Sequence, residues 1–210
     1  KAIANEWQLP LLKLDVGKLF GGIVGESESR LRQMIEVAET ISPCILWIDE
    51  IEKGLSGMQS SGATDGGTTS RVLGTFLTWM QEKEKSVFVV ATANNIAQLP
   101  PELLRKGRVD EIFFVDLPVK HDRKEILTIH LKRRNRLDDF SDCDLDTIVG
   151  ATKGFTGAEL EEAVKEAMFI AFDEGHQLAK EDILKAVSAT SPLSLTMSEM
   201  ISQTRKWAKG

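Results

Sequence analysis

The stretch Cys44-Ile45-Leu46-Trp47-Ile48-Asp49-Glu50 constrains the fold more than any other. Four or five apolar residues, rich in β-branched and aromatic types, run straight into two carboxylates. An unbroken apolar run bounded by polar signals predicts a strand buried on both faces, as in a parallel α/β sheet. In such sheets ligands sit beyond the carboxyl ends of the strands, where Asp49 and Glu50 stand. A hard carboxylate there suits Mg²⁺, directly or through its water, and a second can polarise an attacking water. The same residues also fit a structural strand that ends in acids or caps a helix.

Around this run the chain alternates strand and helix signals. Leu11 to Asp15 predicts a short strand after the Gln8-Leu9-Pro10 turn, and Lys18 to Gly25 is apolar but punctuated by three glycines, which predicts a loop. From Glu26 a helix follows, with Leu31, Met34, Ile35 and Ala38 at helical spacing, and Ser42-Pro43 stops it. Gly54 to Gly67 is rich in glycine and serine and predicts a surface loop; Arg71 to Met80 restores a helix. Ser86 to Thr92 predicts a second fully buried strand, ending in Ala93-Asn94-Asn95. Pro100-Pro101 predicts the start of a short helix, Arg105 to Arg108 a basic turn, and Glu111 to Asp116 a third strand. Beyond Pro118 the pattern is helical, over 121–134, 144–152, 156–173, 180–189 and 194–207. Thr156 and Glu159 are spaced as a capping box. The expected organisation is an α/β part over 1–118 and an all-helical lid over 119–210.

Composition narrows the function. The formal net charge of -6 argues against non-specific nucleic-acid binding as the main activity. Cys44 and Cys143 lie far apart, with Cys44 inside the buried run, which argues against a structural disulfide and fits a reducing compartment. No apolar run approaches membrane-spanning length.

Taken in order, CILWIDE, VVATAN, LLRKGRVDE, ILTIHLK and GFTGAELEEAVKEA resemble the motifs of AAA ATPases across essentially the whole chain. CILWIDE matches their Walker B strand. KAIANEW at the start and SPLSLTMSEMISQTRKWAKG at the end further resemble AAA-domain proteins of algal plastid genomes and cyanobacteria. The resemblance implies a P-loop NTPase α/β core followed by a helical lid, with ATP and Mg²⁺ as ligands. It implies a homo-oligomeric, hexameric ring acting on a protein partner in the cytoplasm of a cyanobacterium or the chloroplast stroma of an alga. The alternative is a nucleotide-regulated scaffold with little turnover.

The resemblance also assigns residues. Asp49 holds the Mg²⁺ water shell, Glu50 is the base, and Asn94 is the sensor amide at the tip of the neighbouring strand. An amide can face both phosphate and water without the repulsion a carboxylate would meet. Asn95 is read as a turn residue. Arg105 and Arg108 match the arginine-finger pair that reaches the next subunit's nucleotide, where a planar cation neutralises charge on the transferring phosphoryl group. His130 matches the histidine near ribose and adenine, and Gly157 and Ala158 the small residues against which adenine packs. No basic residue stands at the second sensor position, where the chain reads GAEL.

Two departures stand out. The Gly-rich phosphate loop with its Lys and Ser/Thr is absent, and the family register puts it, with the strand that precedes it, upstream of Lys1. In the pore-loop register, where an aromatic-aliphatic-glycine triplet is usual, this chain has Ile23-Val24-Gly25. Aliphatic side chains grip by contact area but lack the rigid face of an aromatic ring. If this loop threads polypeptide, Ile23→Ala lowers substrate remodelling in a full-length assay; unchanged remodelling excludes threading through it.

Overall fold

The computed structural model describes residues 1–16, 26–55, 66–105 and 107–209. Ile23, Val24 and Gly25 fall outside the described residues. The chain separates into two compact units, Lys1–Ile112 and Phe113–Gly210.

In the first unit a three-stranded parallel sheet has the order β1 (Leu11–Leu14), β2 (Cys44–Ile48), β3 (Val87–Ala91). The register pairs Leu12 with Leu46, Leu46 with Val89, and Ile48 with both Leu14 and Ala91. β2 is the central strand, and its apolar run is buried on both faces as the sequence demands. Cys44, Leu46 and Ile48 enter the main core with Leu31 and Ala38 of α2 (Glu26–Thr40) and with Val72, Phe76 and Leu77 of α4 (Gly66–Glu82). Ile45 points to the other face. There its register partner Phe88 meets Trp7 of α1 (Ala2–Trp7) edge-on, with ring centroids 4.9 Å apart.

Three expectations are corrected in this region. β3 is not fully buried: only Val87 is, and Phe88 is 46% exposed. Among the described residues it lies at the edge of the sheet, with a strand against only one of its sides. Glu111 to Asp116 forms no strand, because among the described residues no strand runs beside it, and β composition without a partner cannot build a ladder. Its Phe113 and Val115 are more than four-fifths exposed. The segment after Pro100 is a chain of turns rather than a helix. Leu103 and Leu104 donate to Pro100 and Pro101, each three residues back, and the segment closes at Gly107 with φ +89°.

The second unit is helical: α5 (Lys120–Arg133), α6 (Asp142–Ala151), α7 (Gly157–Asp173), α8 (Lys180–Ala189), α9 (Leu193–Thr196) and α10 (Ser198–Lys209). The last expected helix is thus two. Its first turn is held separately, with the Leu193 N–H donating to Glu159 Oε1 at 2.6 Å. The Thr156/Glu159 capping box forms as its spacing predicts, and Ser141 and Asp144 make a second at α6. Lys180 Nζ lies 2.8 Å from Asp144 Oδ1, and that hydrogen bond, with those from Ser141, lowers the Asp144 carboxyl to about 2. Gly154, at φ +84°, turns the chain into α7, and a Cβ there would strike Ser194. Leu127 and Leu131 of α5, Ile148 of α6, Val164 of α7 and Ile183 of α8 are almost wholly buried in one core.

The two cores share no residue. Leu131→Ala therefore lowers the stability of the helical unit by about 2–5 kcal/mol. Amide hydrogen exchange checks this: protection falls in α5 to α8 and holds in β2.

Candidate functional site

The pairing of Ile48 with Ala91 continues one step past both strands. The Thr92 N–H donates to the Ile48 carbonyl at 2.9 Å, and the Ile51 N–H donates to the Thr92 carbonyl at 3.0 Å. Thr92 is thereby set beside Asp49. Its hydroxyl donates to Asp49 Oδ1 at 2.8 Å and accepts the Glu50 N–H at 3.1 Å. One side chain fixes both acids.

Glu50 has φ +50°, in the left-handed region that non-glycine residues seldom occupy. The chain leaves β2 and enters α3 (Ile51–Leu55) at once, and the turn at Glu50 makes that possible. Its carboxylate is doubly engaged: Asn94 Nδ2 donates to Oε1 at 2.9 Å, and Lys53 Nζ lies 2.6 Å from Oε2. The Lys53 ammonium is held above its ordinary range, first by that hydrogen bond to Glu50. On the other acid, Lys13 Nζ stands 3.6 Å from Asp49 Oδ2 and 4.6 Å above the Trp47 ring.

Glu52 supports the amide from below. It is 3% exposed, and its Oε1 accepts the Asn94 backbone N–H at 3.1 Å. Its Oε2 is buried with no hydrogen-bond partner among the described residues. Asn95, as its turn reading requires, accepts the Ala97 N–H through its own side chain and caps a 3₁₀ turn, Ile96–Gln98.

The structure thus brings Asp49, Glu50 and Asn94 together. Arg105 and Arg108 are not joined to them by any ion pair among the described residues. Arg105 is exposed, and Arg108 Nη1 donates to the Glu102 carbonyl at 2.9 Å within its own turn. His130, Gly157 and Ala158 belong to the second unit, described on its own. His130 is buried on α5, its Nδ1 has no hydrogen-bond partner among the described residues, and burial lowers its pKa. Gly157 opens α7, and a Cβ there would meet Ile126 at an ordinary 3.6 Å, so protein packing does not itself demand glycine. Ala158 is exposed beside it.

Thr92, Glu52, Lys53 and Lys13 were missed by sequence reasoning. A signal existed for three of them: a hydroxyl directly after a strand, a third acid in Ile48-Asp49-Glu50-Ile51-Glu52, and a lysine three residues after Glu50. Lys13 became visible only through strand register.

Could these groups serve an Mg²⁺-bound ligand? The donor set is hard oxygen, and the Asp49 side chain is 40% exposed, so its carboxylate can face a metal's water shell. The residues fit.

Comparison with known proteins gives the same region of sequence space. The family model described as "ATPase family associated with various cellular activities (AAA)" matches residues 1–117, and that of the AAA+ lid domain matches residues 142–186. The chain is similar to the "Uncharacterized AAA domain-containing protein ycf46" of Guillardia theta, 55% identical over 208 residues that cover 99% of this chain and 40% of that protein. The protein of the same description from Trieres chinensis is 53% identical over 99% of this chain and 41% of its own length. A "Cell division cycle protein 48 homolog" of Archaeoglobus fulgidus is 32% identical over 83% of this chain and 23% of its own length. The chain spans about two fifths of the length of the first two relatives.

Because Thr92 joins both acids, Thr92→Val costs about 0.5–1.5 kcal/mol of stability, while Thr92→Ser costs less. Urea denaturation of the three proteins measures the difference; equal midpoints would mean that water replaces the hydroxyl without loss.

Proposed function

This chain belongs to the AAA family of ATPases, and from that premise we propose that it supplies the water-activating half of an ATP-hydrolysing site in a hexameric ring assembly. The observation that carries the reading is the Asn94 carboxamide 2.9 Å from Glu50 while Thr92 holds Asp49 beside it. A base, a polar group that orients its water, and a hard carboxylate for a metal's water shell then stand at adjacent strand ends.

In this reading Asn94 and Glu50 hold the attacking water in line, and Glu50 takes its proton as the oxygen bonds to the γ-phosphorus. ADP and phosphate are the products. Mg²⁺, when bound, neutralises phosphate charge, and Asp49 is the residue that holds its water shell. Arg105 and Arg108 act on the nucleotide of the adjacent copy, which makes the ring a condition for turnover. His130, Gly157 and Ala158 receive the ribose and adenine. His130 Nδ1, which has no hydrogen-bond partner among the described residues, and the ordinary packing around Gly157 support that assignment. The edge of β3 that has no strand partner among the described residues is where a further strand carrying a phosphate-binding loop would add.

The work done is remodelling or regulation of a protein partner, with Ile23, Val24 and Gly25 as the loop that meets it. We place the protein in the chloroplast stroma of an alga or the cytoplasm of a cyanobacterium. Residues 1–118 form the nucleotide-facing α/β part and 119–210 the lid.

A second reading draws on Lys53. With Lys53 on Oε2 and Asn94 on Oε1, both oxygens of Glu50 are engaged, a state suited to a nucleotide-regulated scaffold with slow turnover. Glu50→Gln in the full-length protein separates the two. It keeps ATP binding and ring formation and lowers turnover by about 10²–10⁴-fold. Loss of partner function with turnover supports the enzyme; survival of partner function without turnover makes the scaffold reading correct.

A further inference from the structure

At the corner between α7 and α8 three side chains converge that the nucleotide site does not use. Glu174 and His176 lie in the connection, and Asp182 lies in the first turn of α8. His176 Nδ1 is 2.8 Å from the Gln177 carbonyl. A carbonyl oxygen can only accept, so Nδ1 carries the hydrogen and Nε2 is the atom turned to the carboxylates. Nε2 lies 3.3 Å from Glu174 Oε2 and 3.6 Å from Asp182 Oδ1, and the three ligand atoms lie within 4.8 Å of one another.

Asp182 supplies an independent observation. It is 4% exposed, and its Oδ2 accepts the Ala179 N–H at 2.8 Å, which caps α8. Its Oδ1 is turned toward His176, 3.6 Å from Nε2, so the second oxygen of a largely buried carboxylate faces the cluster. Lys185 Nζ takes the other oxygen of Glu174, which orients Oε2 inward.

With neutral imidazole, three lone pairs converge here, an arrangement that a metal ion satisfies at one point. For metal–ligand bonds of about 2.0–2.1 Å a tetrahedral site has ligand atoms about 3.3 Å apart, close to the two spacings from His176 Nε2, while all three atoms lie within 4.8 Å of one another. The backbone carbonyl on Nδ1 is the outer partner that metal-binding imidazoles commonly have. We propose that Glu174, His176 and Asp182 bind a divalent transition-metal ion of the Zn²⁺ class, with water as the fourth ligand, tying the end of α7 to the start of α8. One imidazole with two carboxylates favours Zn²⁺ over Mg²⁺, which binds through oxygen and retains its water. The competing occupant is a proton. The Gln177 carbonyl and then Glu174 raise the His176 pKa, as the same geometry requires of an imidazolium.

The test is calorimetric titration of the chelator-treated chain with ZnCl₂ alone, beside MgCl₂, in metal-free buffer. The expected result is one Zn²⁺ per chain with micromolar or tighter affinity, binding weakened in His176→Ala and in Asp182→Asn by at least the roughly 10–100-fold that loss of an outer-shell partner costs, and no comparable Mg²⁺ response. Asp182→Asn retains an oxygen for the α8 cap, so its loss of binding reports on charge rather than on folding. Circular dichroism confirms that both variants are helical. Absence of saturable Zn²⁺ binding, or binding unchanged by His176→Ala, overturns the proposal and leaves the proton as occupant. Either result is independent of ATP hydrolysis.

Discussion

The pairing of Ile48 with Ala91 is the constraint on which the acidic site depends. It carries the ladder one residue further, so that Thr92 meets Asp49 and the following turn delivers Asn94 to Glu50. Side chains alternate along a strand, so a slip of one residue would present Ala91 or Ala93 to Asp49 in place of the hydroxyl. Burial on one face of β3 opposes the slip, since it would turn Val87 and Val89 out of the core and Phe88 into it. The chemistry at the strand ends is thus set by hydrophobic burial several residues earlier.

The exposed charges at the site are arranged in opposite-sign pairs. Lys13 faces Asp49 and Lys53 faces Glu50, while Glu52 is buried and bonded to a backbone N–H. Each lysine is exposed, so water and salt screen its attraction, and neither is a strong anchor. That weakness suits a site that must exchange these contacts for a charged ligand. Glu52 differs because it is shielded from water, and its role is to fix the backbone that carries Asn94.

The strands and helices with strong internal periodicity were legible in the sequence. β2, α2 and α7 stand where their apolar patterns put them, and the Thr156 cap forms as its spacing requires. Features decided by a neighbour were not legible. The run Glu111 to Asp116 has strand composition, yet pairing depends on what lies alongside, and β3 reads as buried although it stands at an edge. The site divides in the same way. Asp49, Glu50 and Asn94 could be named from motifs, whereas Thr92 and Lys13 are defined by register between strands. A single chain of letters does not print that register.

The left-handed backbone at Glu50 has a consequence for how this position can vary. A side chain in that region costs on the order of 1–3 kcal/mol, and glycine would relieve it. Selection for stability alone would therefore drive the position toward glycine and remove the carboxylate. The presence of glutamate there marks a trade of robustness for chemistry, made at a single residue.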